Sequence, residues 1–277
     1  MKSLPAVGRV LAYAVIVLLM IVPLYLLVVN SFKDQQAILS SPLSLPISNF
    51  SWQYILQAAA NPRFNILKSY LVTVLLALGV NALSVAVCGP ASYALARGMA
   101  RWHQMVRLFL MIGLFIPSQV ILIPAIYVLH GLHLMGTIPG LLLFQTTAMI
   151  PTTVFLFTAY VQSLPRELDE AAKIDGASRF GTFWQVIFPL MRPAVATAVV
   201  LNTINVWCDF VTPRIILGPA STIRTVTTGI YASISKYTTD FTVVFPSMLL
   251  AVVPAMIFYV MLQKQIIGGL AGGAVKG

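Results

Sequence analysis

The chain has 277 residues, 59% of them hydrophobic and only 9% charged, with a formal net charge of +10. A soluble domain carries about 25% charged residues, so this composition, with a mean hydropathy of +0.91, excludes one and describes an integral membrane protein. The basic balance does not call for nucleic acid: 11 of the 17 Lys and Arg residues fall on one set of alternating segments between apolar runs. That is the positive-inside asymmetry of a membrane chain.

A helix needs about 20 apolar residues to cross a hydrocarbon core about 30 Å thick. Six stretches qualify, at 10–31, 67–96, 105–128, 138–162, 187–217 and 242–264. The first begins as a secretory leader would, but its run from Val10 to Val29 is longer than a leader core, holds Pro23 and meets no small-x-small site before Asn30. It reads as an anchor. Residues 32–66 follow as an extracytoplasmic segment in which Trp52 and Tyr54 are placed to sit at the interface. Each span has a proline in it or at its edge, among them Pro90, Pro117, Pro151, Pro193 and Pro254. Each removes a backbone hydrogen bond, so the helices are expected to be kinked.

Cys88 and Cys208 both fall inside spans and far apart in sequence, so no structural disulfide is expected. His130 and His133 close the third span without an accompanying carboxylate or cysteine and read as interfacial, not as metal ligands. His103 lies among Arg97, Arg101 and Arg107, on a basic loop.

Between the fourth and fifth spans the character changes. Four of the seven carboxylates, Glu167, Asp169, Glu170 and Asp175, lie within nine residues of one another. Leu168, Ala171, Ala172 and Asp175 fall at i, i+3, i+4 and i+7, one face of a helix, where the two alanines would let another protein approach closely. Gly176 supplies a turn or helix end that a Cβ would resist. The order Glu170-Ala171-Ala172, three residues, Gly176, nine residues, then Val186-x-Phe188-Pro189 resembles the EAA loop of ABC-importer permeases. Val186 and Phe188 stand where that family has Ile and Leu. The resemblance implies a cytoplasmic coupling loop over 166–189, with Glu170, Ala171, Ala172, Asp175 and Gly176 docking onto an ATPase.

In the fifth span, NTINVWCDF places Asn202, Asn205 and Asp209 at i, i+3 and i+7, a polar face suited to hydroxyl-rich solutes. A carboxylate in hydrocarbon costs about 2.5–3.5 kcal/mol, so Asp209 should meet a cavity, a helix partner or the outer interface. The other reading has the two asparagines joining helices and Asp209 paired with Arg214. Trp207, Asp209 and Phe210 resemble the fifth-span Trp-Asn-Asp/Glu-Phe motif of carbohydrate-type permeases, with Cys208 in place of the family's Asn. Asn202, Asn205, Trp207 and Asp209 are therefore the candidate substrate-path residues. Residues 218–241, crowded with hydroxyls, would face a solute-binding protein in that family, and the tail GGLAGGAVKG resembles carbohydrate-permease tails.

No G-x-x-x-x-G-K-[ST] loop is present, so the chain has no ATP site of that kind, and no catalytic or metal-ligand cluster is recognisable. The resemblance implies an all-α, integral membrane, type I importer fold in one domain over 1–277. It implies a non-enzymatic subunit with both termini in the cytoplasm of a bacterial-type cell membrane. Its implied partners are a second permease, two ATP-binding subunits carrying ATP and Mg²⁺, an extracytoplasmic solute-binding protein and membrane lipid, with no nucleic acid. An ion-coupled secondary carrier is the alternative, although such carriers commonly show internal repeats and several buried ionisable groups.

Overall fold

The computed structural model describes residues 6–47, 50–61, 65–219, 221–233 and 240–274, and among them helices are joined by turns without a strand. Lys2, Arg63, Lys236, Lys276 and the side chain of Lys264, all counted in the charge asymmetry, lie outside what is described, as does the end of the tail. The order is α1 (Ala6–Asn30), α2 (Gln35–Ser40), α3 (Gln53–Ala59), α4 (Ile66–Arg97), α5 (Arg101–Ile112), α6 (Ser118–Gly131) and α7 (Ile138–Ser163). There follow α8 (Glu167–Ile174), α9 (Arg179–Gly181), α10 (Phe188–Leu190), α11 (Arg192–Cys208), α12 (Val211–Ile216), α13 (Val226–Ser233) and α14 (Phe241–Ala274).

Among the described residues four helical stretches are long and apolar enough to cross a membrane, Gly8–Asn30, Ile66–Arg97, Ile138–Ser163 and Phe241–Met261. The other two expected spans are bent pairs: Arg101–Phe115 meets Ser118–Gly131 at 108°, and Arg179–Leu190 meets Arg192–Cys208 at 74°. Counted as one span each, they complete the six. The runs 105–128 and 187–217 are thus not continuous helices, and proline chemistry accounts for both breaks. Ile116 precedes Pro117 and is pushed to an extended conformation (φ −94°, ψ 115°) after a 3₁₀ turn at Gly113–Phe115. Pro189 and Pro193 offer no N–H to the preceding turn, and the chain widens into a π-helix over Thr182–Ile187 just ahead of them. Beyond Cys208, Asp209 is extended (ψ 121°) and α12 starts afresh.

The chain forms two compact units, one from Met1–Ser69 with Thr228–Pro254 and the other from Tyr70–Thr227 with Ala255–Gly277. In the first, the segment after α1 is pinned by polar contacts. Tyr25 Oη donates to the Leu43 carbonyl (2.7 Å), Asn30 Nδ2 to those of Leu26 (2.8 Å) and Pro42 (3.1 Å), and the buried Lys33 Nζ to that of Ser41 (2.9 Å). Phe32, Phe50 and Trp52 gather as a ring cluster with centroids 4.9–5.6 Å apart, and Trp52 is largely exposed. Most of α1 from Val10 to Met20 is open, an apolar surface far larger than a water-soluble chain would leave bare.

The second unit packs at two levels along α4. Leu76, Ala77 and Val80 meet Leu122, Leu141, Phe144 and Val206 at one level. At the other, Cys88 and Leu95 meet Val154, Phe157, Val161, Phe183, Ile187 and Ala198. Lipid is as apolar as these side chains, so close contact, not water expulsion, holds helices together here. Gly89 shows how tight it is: a Cβ there would come 3.1 Å from Phe183 Cζ.

Phe183 is fully buried against Tyr93, Trp184 and Phe188, whereas Phe180, one turn earlier, is 69% exposed. Phe183→Ala should cost about 3–5 kcal/mol through the cavity it leaves. Phe180→Ala should cost under about 1 kcal/mol. Thermal unfolding of the detergent-purified protein checks this, and equal loss in both variants would refute the packing assignment.

Candidate functional site

The polar helix α8 is held at its start by the end of α4. Arg97, the last residue of α4, donates from Nη1 to the Leu164 carbonyl (3.1 Å) and from Nη2 to that of Pro165 (3.2 Å). Its Nη2 also lies 2.8 Å from Asp169 Oδ2. Tyr93 Oη, one turn back along α4, donates to Asp169 Oδ1 (2.5 Å). The Arg97 and Asp169 side chains are 14% and 20% exposed. That places the pair between a surface ion pair worth about 0.2–1 kcal/mol and a buried one whose breaking costs about 3–5 kcal/mol. Glu167, Asp169 and Glu170 occupy the first turn of α8 and Lys173 its last, the arrangement its dipole favours.

The far end of α8 closes in a Schellman motif. The Gly176 amide bonds the Lys173 carbonyl (3.1 Å) and the Ala177 amide that of Ala172 (2.9 Å), with Gly176 in the left-handed region at φ +82°. A Cβ on Gly176 would meet nothing within 4 Å. Within this chain, glycine is therefore required for its backbone conformation alone.

Five expected coupling residues divide by exposure. Glu170, Ala171, Asp175 and Gly176 are open, but Ala172 is 6% exposed and turns into the chain. The two alanines do not both face outward: Ala171 is open, whereas Ala172 is buried on the side of α8 where Leu168 packs against the core. Two residues missed in the sequence stand out instead. Ile174 is 86% exposed and Phe180 69% exposed, on either side of the Gly176 turn. The signal was present, as two large apolar side chains in a charged stretch.

The residues of the second group differ in environment. Asn202 is 1% exposed, while Asn205, three residues on, is open and donates to the Leu201 carbonyl (2.9 Å). Asp209 lies past the end of α11, so helical spacing does not carry to it. Its carboxylate accepts from Gln145 Nε2 (3.0 Å) on α7 and from the Thr212 amide (3.1 Å) in the first turn of α12, and its carbonyl accepts from Thr227 Oγ1 (2.7 Å). Asp209 thereby ties α7, α12 and Thr227 together at the chain break. Trp207 stacks on Tyr70 of α4 with centroids 6.0 Å apart, and Arg214 donates to the Pro219 carbonyl (3.4 Å). Gln145, a buried amide in the apolar run of α7, is the partner sequence reasoning passed over.

Among the described residues no three His, Cys, Asp or Glu side chains gather as a metal site. α6 ends at Gly131 and His133 has φ +56°, so His130 and His133 do not share a helix face.

A family model described as binding-protein-dependent transport system inner membrane component matches residues 88–268, more than half of the chain. The multiple sugar-binding transport system permease protein of Streptococcus mutans is 33% identical over 264 residues, covering 94% of this chain and 93% of its own. The diacetylchitobiose uptake system permease protein of Streptomyces coelicolor is 30% identical over 260 residues, covering 93% and 85%. A solved bacterial ABC transporter involved in the import of the acidic polysaccharide alginate matches with a TM-score of 0.81 over 93% of this chain and 95% of its own. At 20% identity that likeness is one of fold.

Gly176 allows a clean separation of two causes. Gly176→Ala forces a Cβ into the left-handed region at about 1–2 kcal/mol, whereas Asn tolerates that region better. If the glycine serves backbone shape, Gly176→Asn retains most uptake and Gly176→Ala loses it. If a partner presses on the backbone, both lose it with the free chain's stability unchanged in the Asn variant. Equal, wild-type uptake in both variants would remove Gly176 from the site.

Proposed function

The chain belongs to the family of binding-protein-dependent transport system inner membrane components, and on that premise we propose that it forms half of the translocation path of an ATP-driven carbohydrate importer. The observation that carries the coupling role is the open surface of Glu170, Ala171, Ile174, Asp175 and Phe180, presented by a helix fixed at both ends. The alternative of an ion-coupled secondary carrier falls with the family match and with relatives that are transport-system permeases.

In this reading the work is divided. This chain splits no ATP; two ATP-binding subunits hold ATP and Mg²⁺, a second permease completes the path, and an extracytoplasmic binding protein delivers the solute. Closure of the ATP-binding pair displaces α8, and the membrane helices exchange an inward-open for an outward-open arrangement. A sugar is the solute class supported by relatives named for multiple-sugar and diacetylchitobiose transport. Asn205, Trp207 and Asp209 are the path candidates that are not buried in this chain, whereas Asn202 is enclosed. The charge asymmetry supports an orientation with both termini and 166–189 in the cytoplasm.

Purification of the tagged chain from its own membrane should bring down a second permease and an ATP-binding subunit, with hydrolysis stimulated by solute-loaded binding protein. A chain that purifies alone and takes up solute in vesicles only under a proton or sodium gradient would overturn the reading. For orientation, single cysteines at Ser178 and Thr222 in a background lacking Cys88 and Cys208 separate the two sides. An impermeant thiol reagent added to intact spheroplasts should label Thr222→Cys and leave Ser178→Cys unlabelled; the reverse pattern contradicts it.

A further inference from the structure

A helix that receives a push transmits it only to what it is fixed to. α8 is joined by the chain to α7 before it and to α9 after it, so both covalent routes lead out through its ends. The contacts of Arg97 and Tyr93 add a third route that no covalent bond supplies. They join α8 and the residues that introduce it to the last turn of α4, a helix of 32 residues.

We propose that Arg97, Asp169 and Tyr93 form a latch that makes α8 and the end of α4 move as one body during the transport cycle. Arg97 and Asp169 are positioning residues here; neither touches a solute. The inference rests on the coupling role proposed for α8 and specifies which membrane helix receives the displacement.

The chemistry suits a latch more than a hinge. The guanidinium is planar and holds a fixed fork of donors. The Leu164 and Pro165 carbonyls accept from it at 3.1 and 3.2 Å, and the Asp169 carboxylate is ion-paired with it at 2.8 Å. Asp169 is held from its other oxygen by Tyr93, so rotation of α8 about its own axis would break contacts to two residues of α4 together. Asp169 and Tyr93 sit on the inner side of α8, leaving Glu170, Ala171 and Ile174 free to meet a partner. Binding and transmission thus use opposite sides of one short helix. Beneath the latch, Phe183 packs against Tyr93 and Gly89, so the same turn of α4 also bears on the π-helical stretch.

The test measures motion. Spin labels at Ala94→Cys on α4 and Lys173→Cys on α8, both exposed positions, report their separation in the purified complex, nucleotide-free and trapped with ATP and vanadate. With Arg97 and Asp169 intact, the distance distribution should stay narrow and unchanged between the two states. In Arg97→Gln and in Asp169→Asn it should differ between states by about 2 Å or more, the scale of helix shifts in such transitions. The double variant should show less than the sum of the two single effects, since the changes share the Arg97–Asp169 pair. Should Arg97→Gln fail to assemble, Arg97→Lys keeps the charge and loses the fork, and reads the same distance. A narrow, state-independent distance in these variants overturns the latch. Absence of an ATP-binding subunit from the complex would instead overturn the coupling role itself.

Discussion

Hydrocarbon supplies no hydrogen bonds, so every backbone donor and acceptor at membrane depth must be met by the protein, and this one constraint orders the rest of the structure. Long uninterrupted helices follow from it, as do the places where they stop. Where α5 and α6 turn through 108° and α9–α10 and α11 through 74°, proline has already removed a donor, and a 3₁₀ turn or a π-helical stretch takes up the change. Where α11 ends, Asp209 supplies the missing acceptor to Thr212 and draws in Gln145 and Thr227. The carboxylate that composition makes conspicuous is thus first a device for ending a helix inside an apolar unit. Its remaining exposure leaves room for a second use in the path.

The polar helix α8 answers a different demand, to be firmly held and yet open. Its two ends are fixed by different chemistry, a guanidinium and a phenol at the start and a left-handed glycine at the finish. Neither uses the outward face. In the coupling role we propose for α8, this division means that a change on one side need not loosen the other. Apolar Ile174 and Phe180 beside acidic Glu170 and Asp175 define the chemistry a partner must match, an apolar cleft with basic groups at its rim.

Much of this was legible in the sequence, and what was missed has physical reasons. The six apolar runs, the polar helix and its glycine were readable because length, hydropathy and the need for φ > 0 are local properties. The two breaks were flagged only as kinks, since proline in a span says that a bond is lost, not how far the chain turns. Ala172 was assigned outward from spacing alone, but spacing gives a face and not the direction it points. Spacing has the same limit for the asparagines: Asn202 and Asn205 are three apart on α11, yet one is enclosed and the other open. Arg97 and Gln145 were invisible as partners because contacts 64 to 67 residues apart in sequence leave no pattern in either segment. Arg97 was counted only as one more positive charge at a span end.

The coupling role proposed for α8 requires that its open surface meet an ATP-binding subunit. A photo-crosslinking residue at position 174, in the complex in its native membrane, tests this most directly. Irradiation should join this chain to the ATP-binding subunit, in a yield that changes on trapping with ATP and vanadate. Crosslinks to lipid or to the extracytoplasmic binding protein, with none to an ATP-binding subunit in either state, would contradict it.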